Sequence, residues 1–227
     1  MTDLLAEKYA GTRIGVVVAD GSEALRYALE NRAALFPAVP VVFMNVTRSE
    51  LDQIRPPPDV TGVVLVLEGQ RTIAVALDLE PGTGLVAIVG GSSPSDRRNA
   101  AIARRLVQER SPGVKVLSLV EMPLEEQLRR VATLPEHSII IFASYRADAL
   151  GRSMVARDVL RLVSRAANAP TFGASDSWLG YGILGGDIIR SDVPAERAAA
   201  LTLRLLKGEP ISSLPPVAER TSALMFD

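Results

Sequence analysis

The sequence predicts an α/β fold with parallel, doubly wound sheets, and three observations predict it. Short apolar runs rich in valine and isoleucine alternate with amphipathic helical stretches from residue 14 to residue 207. The stretches between these runs are long enough for the crossover helices that parallel strands require. Several runs also end in small or polar residues, as VVVADGS and IIIFASY do. Ligands bind at that edge of an open parallel sheet, where strand ends meet helix N-termini.

The first third of the chain predicts two helices and three strands around a proline-rich linker. Three prolines in RPPPD, residues 55–59, exclude both a helix and a central strand. Ser22 follows the Asp20-Gly21 turn, where it is well placed to cap the next helix. The predicted helices cover residues 3–10 and 23–35, and the predicted strands cover residues 14–19, 41–46 and 60–67.

The stretch GLVAIVGGSSPSD, residues 84–96, organises the second part of the chain. Its first half is a continuous apolar run, which is typical of a strand covered on both faces. Gly91, Ser92 and Ser93 then precede a helix that starts near Pro94. The backbone N–H groups of this loop could cradle a phosphate or carboxylate, or Ser93 or Ser95 could simply cap the helix. Both interpretations stay open.

Strand and helix keep alternating after this stretch. Residues 180–189 are glycine-dense and then apolar, which suits a strand that bends, and the last ten residues are expected to be on the surface or frayed. The remaining predicted helices cover residues 70–79, 96–109, 124–132, 153–167 and 194–207, and the predicted strands cover residues 114–119, 139–143 and 171–173.

The composition of the chain argues against several classes of function. The net charge of −1 gives no electrostatic reason to expect nucleic acid as a partner. The absence of cysteine excludes disulfides, thiolate catalysis and cysteine-ligated metals. No spacing of acidic residues and histidine suits a metal, so no cofactor is predicted. No apolar window reaches the length of a membrane span, and the N-terminus, with Asp3 and Glu7, does not resemble a signal peptide.

Polar side chains at strand ends define the candidate binding site. Carboxylate, amide, hydroxyl and aromatic groups together suit a small polar ligand. Arg97 is a candidate anion clamp or a solvated helix residue, and Trp178 is either a stacking wall or a packed hinge residue. The candidate ligand-binding residues are Asp20, Ser22, Asn45, Gly91, Ser92, Ser93, Asp96, Arg97, Ser144, Tyr145, Ser175, Asp176 and Trp178.

The catalytic alternatives are weak. His137 is the one histidine, and it precedes a predicted strand, so it lies at the sheet edge opposite the candidate site. Ser175 in GASDS does not complete the G-x-S-x-G nucleophile elbow, because Ser177 occupies the fifth position. The sequence therefore predicts a protein that is not an enzyme.

Several ordered motifs resemble those of a known family. VVFMNV, DVTGVV, VGG after PGT, PTFGASDSWLGYGILGGDII and AERAAALTLRLLKGEPI resemble the substrate-binding proteins of ABC transporters, which have the type I periplasmic-binding fold. The nearest subgroup is the solute-binding-like sensor region of bacterial histidine kinases. The resemblance covers roughly residues 9–217.

This resemblance implies two α/β lobes that close over a small organic solute in the cleft between them. Lobe one would comprise residues 1–60 and 190–210, and lobe two residues 61–189 and 211–227. The first lobe is expected to be truncated at its N-terminus, because family members usually begin with a strand, a helix and a strand that this chain lacks. An exposed strand edge would favour a homodimer. The implied location is periplasmic or extracytoplasmic.

The resemblance leaves the partner open. A transport protein would deliver its solute to an ABC permease, whereas a sensory domain would signal to a histidine kinase. A third and less favoured interpretation is a flavodoxin-like or nucleotide-binding enzyme, since a fold alone does not determine function.

Overall fold

A computed structural model describes residues 2–66 and 70–227. The chain divides into two compact units. The first unit comprises Met1–Leu67 and Arg190–Thr221, and the second comprises Glu68–Ile189 and Ser222–Asp227. Leu67, the last residue of the predicted strand 60–67, lies outside the described residues.

The elements alternate as the sequence predicts. The strands are β1 (Val17–Asp20), β2 (Val41–Thr47), β3 (Val60–Val66), β4 (Leu85–Gly90), β5 (Lys115–Ser118), β6 (Ser138–Ser144), β7 (Thr171–Phe172), β8 (Gly185–Ile189), β9 (Val217–Arg220) and β10 (Ser222–Phe226). The helices are α1 (Thr2–Lys8), α2 (Ser22–Glu30), α3 (Arg32–Leu35), α4 (Arg48–Ile54), α5 (Gln70–Leu79), α6 (Pro94–Arg110), α7 (Leu124–Val131), α8 (Ala156–Ala166) and α9 (Asp192–Leu206).

In the described part of the first unit, four parallel strands form a sheet in the order β1-β2-β3-β9. Leu25 of α2 and Leu51 of α4 pack on one face of this sheet, and Leu201 of α9 packs on the other. Gly62 allows β3 to lie close to β2, because a Cβ there would lie 2.1 Å from the carbonyl oxygen of Phe43 in β2. The unit is therefore doubly wound, with helices on both faces.

Across residues 70–189 and 222–227, six strands form the second sheet, in the order β10-β8-β7-β6-β4-β5. The strands are parallel except β10, which runs antiparallel to β8. Phe142 and Val163 belong to the core on the face covered by α7 and α8, and Ile88 and Leu106 belong to the core beneath α5 and α6. The carboxyl ends of β4, β6, β7 and β8 therefore share one edge of this sheet.

Two features differ from the sequence analysis. Helix α4 was not predicted, although Thr47 and Glu50 form a capping box at its start, with the Thr47 N–H donating to Glu50 Oε2 at 2.9 Å. Of the two alternatives for the last ten residues, fraying is wrong, because β10 pairs with β8 along its whole length, whereas residues 224–227 do lie on the surface. The apolar sequence SALMF supports this strand.

The unit boundaries also differ from the predicted lobes. Residues 61–66 and 211–221 were assigned to lobe two, but they belong to the first unit. Strand pairing explains the difference, because β3 is bonded to β2 and β9 adds in parallel to the other side of β3. The chain enters the second unit after β3, returns after β8 and enters it again after β9.

Candidate functional site

The loop between β4 and α6 uses its backbone N–H groups internally. Ser93 is the N-cap of α6, and its hydroxyl accepts a bond from the backbone N–H of Asp96 at 3.2 Å. The other bonds are Gly91 N to Ser144 O at 2.9 Å, Ser92 N to Ala147 O at 2.7 Å and Ser93 N to Asp96 Oδ2 at 3.2 Å. None of these three N–H groups is left to cradle an anion, which supports the helix-cap alternative for this loop.

Asp96 joins three segments at this edge. Its side chain is fully buried, and it accepts bonds from the Ser144 hydroxyl at 2.7 Å and from the backbone N–H of Arg146 at 2.9 Å, besides the bond from Ser93. Burial opposes ionisation, but these hydrogen bonds outweigh it and lower the pKa of Asp96. The carboxylate therefore fixes the loop after β4, the start of α6 and the end of β6 relative to one another.

Gly91 is required where these segments meet. A Cβ at this position would lie 2.4 Å from Asp96 Oδ2 and 2.5 Å from the carbonyl oxygen of Ala147. Gly91 was predicted as a ligand-binding residue. In the structure, its lack of a side chain lets the loop after β4 lie close to the segment that contains Ala147.

Residues 145–154 form a strap after β6 that the sequence analysis did not identify beyond Tyr145. Asp148 is buried and accepts bonds from the backbone N–H groups of Leu150 at 3.0 Å and Arg152 at 2.9 Å. The Arg152 guanidinium binds Asp148 at 2.6 Å and Glu125 of α7 at 3.1 Å. Burial raises the pKa of Asp148, but bonds from Arg152 outweigh it, so the net pKa is lowered. This ion-pair cluster anchors the strap to α7.

Tyr145, at the base of the strap, lies in the core rather than on the surface. Its side chain is 1% exposed, and its ring stacks on Phe142 with centroids 6.4 Å apart. Its hydroxyl is buried and has no hydrogen-bond partner among the described residues. Burial, followed by the charge of Asp148, raises the pKa of Tyr145 to about 12, so the phenol is neutral at physiological pH.

Arg97 and Trp178 both have partners within the second unit. Arg97 Nη1 lies 3.0 Å from Glu121 Oε1, and both side chains are exposed. Trp178 is partly buried and meets Phe142 edge-on, with ring centroids 5.0 Å apart. A Cβ on Gly173 would lie 2.8 Å from the indole ring. These contacts support the packing alternative for Trp178.

Ser175 and Asp176 lie beside this indole, after β7. The Ser175 and Ser177 hydroxyls are 2.8 Å apart, and Asp176 begins the 3₁₀ turn Asp176–Trp178. Ser175 also bridges in parallel to Ile189 at the end of β8. The segment forms a second polar group at the carboxyl edge of the second sheet.

The first unit carries its own polar edge. Asp20 ends β1, and its Oδ1 accepts a bond from Asn45 Nδ2 at 2.8 Å. The prediction that Ser22 caps α2 is wrong, because Gly21 occupies the cap position with φ 86° and makes no side-chain bond there. The Ser22 hydroxyl is buried and donates instead to Glu50 Oε1 at 2.9 Å.

The predicted residues therefore fall into three groups, one in the first unit and two in the second. The sequence signal that was missed is YRADALGR, where charged residues and a glycine follow a buried strand. The groups are Asp20, Ser22 and Asn45; then Gly91, Ser92, Ser93, Asp96, Arg97, Ser144 and Tyr145; then Ser175, Asp176 and Trp178.

His137 lies away from these groups. It precedes β6 at the amino edge of the second sheet, is exposed, and has φ 56°. Within residues 2–66 and 70–227, no three histidine, aspartate or glutamate side chains lie together as a metal site would need. No helix in that part of the chain is long and apolar enough to cross a membrane.

Comparison with known proteins gives matches in structure but not in sequence. No protein-family model and no curated protein matches the chain. The ligand-free, open structure of CD0873, a substrate binding protein with adhesive properties from Clostridium difficile, aligns with a TM-score of 0.69 at 14% identity. The alignment covers 100% of this chain and 75% of that one.

Two further structures show the range of proteins with this fold. The ABC domain in complex with L-Trp from Streptococcus pneumonia has a TM-score of 0.66 at 13% identity, covering 100% of this chain and 75% of that one. A LacI family transcriptional regulator from Bifidobacterium animalis subsp. lactis has a TM-score of 0.61 at 16% identity. That alignment covers 98% of this chain and 80% of that one. At these identities the likeness establishes the fold alone. The chain has the type I periplasmic-binding fold, as its motifs predicted.

Proposed function

We propose that this chain binds a small organic solute and performs no chemistry on it. The observation that carries the proposal is the alignment of the whole chain with two substrate-binding structures, at TM-scores of 0.69 and 0.66. Because a fold alone does not determine function, the proposal also needs a suitable surface. Each sheet carries polar groups at its own carboxyl edge, and these supply such a surface in each unit, since ligands of open α/β sheets bind there.

The proposed contacts are the polar side chains of these edges. In the first unit they include Asp20 and Asn45, and in the second they include Ser175 and Asp176. The hydrogen bonds of the buried Asp96 carboxylate support this role, because a loop that is already ordered costs less conformational entropy when a ligand binds. Closure of the two lobes over the solute remains a prediction, and small-angle X-ray scattering with and without ligand tests it.

In the favoured version of this function, the chain is the extracytoplasmic substrate-binding component of an ABC transporter. A sensory role is the second candidate, because the fold match extends to a LacI family regulator at a TM-score of 0.61. A sensor would pass the bound state to a partner such as a histidine kinase. Reconstitution distinguishes the two roles, since ligand would stimulate a permease ATPase in one case and change kinase autophosphorylation in the other.

A thermal-shift screen tests solute binding itself. The purified chain is heated with single amino acids, aromatic acids, sugars and purines. A ligand that binds only the folded state raises the unfolding midpoint by an amount set by its concentration and Kd. A concentration-dependent rise, confirmed by calorimetric titration without product formation, supports the proposal. A folded protein that binds nothing in the library contradicts it.

A further inference from the structure

We infer that the solute carries an oxyanion group, a carboxylate or a phosphate, and that the Arg146 guanidinium binds it. This inference rests on the proposed function and adds the chemical class of the ligand. Arg146 was not among the residues that the sequence analysis selected. It lies two residues beyond β6, at the carboxyl edge of the second sheet.

The backbone of Arg146 is held on both sides. Its N–H donates to Asp96 Oδ2 at 2.9 Å, and its carbonyl accepts a bond from the Met154 N–H at 2.8 Å. The acceptor of the first bond, Asp96, is fully buried. The base of the Arg146 side chain is therefore fixed, while the residue itself is exposed.

The acidic side chains around Arg146 have other partners. Asp148, two residues further along the strap, binds Arg152, and so does Glu125 of α7. Asp96 accepts only neutral donors, one of which is the backbone N–H of Arg146. In the described ranges, the Arg146 guanidinium has neither a hydrogen bond nor an ion pair. An uncompensated cation on an ordered strap is suited to an anionic ligand.

One further feature of this edge favours an oxyanion. The Ser92 hydroxyl is buried without a hydrogen-bond partner in the described part of the chain, and the backbone N–H of Ser92 bonds to the strap at Ala147, next to Arg146. A guanidinium binds carboxylate or phosphate through two parallel hydrogen bonds, which gives orientation as well as affinity.

Matched pairs of probes test the class of ligand. The full chain is titrated with benzoate and benzamide, indole-3-acetate and indole-3-acetamide, L-tryptophan and L-tryptophanamide, and phenyl phosphate and phenol, with glucose and ribose as neutral sugars. We expect at least one acid to bind at least about tenfold more tightly than its neutral or amide analogue. Preference for a carboxylate or for phenyl phosphate identifies the source of the oxyanion. Equal binding of an acid and its amide, or binding of sugars alone, overturns the inference but leaves solute binding intact. Binding of no probe contradicts both proposals.

The variant Arg146→Gln tests the residue. It keeps the backbone N–H that Asp96 binds, so the unliganded unfolding midpoint should not change. Affinity for the preferred acid should fall about 10- to 100-fold, as expected for a hydrogen bond to a charged group. Arg104→Gln is the matched control, because Arg104 is exposed on α6 about 15 Å along the helix from its start.

The outcomes distinguish a binding role from a structural one. Raising the salt concentration should weaken wild-type binding and leave the weak binding of Arg146→Gln nearly constant. Arg146→Lys, which keeps the charge but not the paired donors, should have intermediate affinity. Wild-type affinity in Arg146→Gln overturns the assignment. An equal loss in Arg104→Gln also overturns it, because the effect would then be one of net charge.

Discussion

Asp20 and Asp96 both lie at the carboxyl edge of a parallel sheet, one in each unit, yet their surroundings are opposite. Asp20 is exposed, and its carboxylate accepts a hydrogen bond from Asn45 at 2.8 Å. Asp96 is fully buried and accepts bonds from the Ser144 hydroxyl and from two backbone N–H groups. The same residue type at the same kind of edge can therefore hold the fold together or remain available to a ligand.

The difference arises from the position of each residue in its βα unit. Asp20 is the last residue of β1, so its side chain meets solvent where the strand ends. Asp96 is the third residue of α6, where a carboxylate can reach back to the cap, and the neighbouring strap covers it. An acidic residue at a helix start is thus a weaker indicator of a ligand site than one at a strand end.

Replacing the two aspartates should separate these roles most clearly. We expect Asp96→Ala to lower the free energy of unfolding by about 3 kcal/mol, because three donors lose a buried, charged acceptor and α6 loses part of its cap. Asp20→Ala should change it by no more than about 0.5 kcal/mol, as expected for an exposed position. Urea denaturation of both variants measures the difference. Similar values for the two variants would contradict the comparison.

Acid should weaken the contribution of Asp96. Its pKa is lowered in the folded protein, so the unfolded chain takes up the proton at higher pH than the folded chain does. The stabilisation is therefore complete above the ordinary aspartate pKa of about 3.9 and is lost as the pH falls through the lowered value. Denaturation of wild type and Asp96→Asn at a series of pH values should show a stability difference that shrinks below about pH 4. If the stability difference instead grew as the pH fell, the pKa of Asp96 would be raised, not lowered, in the folded protein.

A methyl group at Gly91 should disturb the same junction by contact alone. The added Cβ would lie 2.4 Å from Asp96 Oδ2 and 2.5 Å from a backbone oxygen that cannot easily move. We expect Gly91→Ala to cost about 2 kcal/mol. Gly113→Ala is the matched control, because no atom lies within 4 Å of its Cβ position, and it should be neutral or slightly stabilising. If Gly91→Ala and Gly113→Ala lowered the melting temperature equally, the close contacts at Gly91 could not be the cause.

Tyr145→Phe should have the smallest effect on the second unit. The hydroxyl is buried without a partner among the described residues, so its removal relieves a desolvation cost and should raise the free energy of unfolding by up to about 1 kcal/mol. Ligand affinity, measured by calorimetry, should not change, because the side chain is 1% exposed. Weaker binding in a stable variant would restore Tyr145 to the proposed contacts.

The fold could be predicted from sequence because apolar runs and crossover helices are local patterns. Val60 to Val66 and residues 139–143 are recognisable as buried strands without any knowledge of their neighbours. The position of β9 could not be predicted, since its pairing with β3 joins residues about 150 apart in the chain, and a short strand of mixed polarity carries little pattern.

The sequence could locate the candidate site only to the carboxyl edges of the sheets. Chain order places Asp96 and Ser144 at the same edge, but it does not reveal that one donates to the other and that both are thereby used in the fold. The sequence did not indicate that the Arg146 side chain is unpaired, because this depends on Asp148 pairing with Arg152 instead. A sequence pattern does not show that contact. Which polar groups remain available is decided by tertiary hydrogen bonds.

Hydrogen–deuterium exchange with a ligand from the screen tests the central proposal most directly. At saturating ligand, we predict slower exchange at the carboxyl edges, in residues 20–22 and 45–47 of the first unit and in residues 91–93 and 144–147 of the second. The amino edges, including Lys115 and His137, should exchange at unchanged rates. Protection confined to the amino edges, or no protection at saturation, would contradict ligand binding at these strand ends.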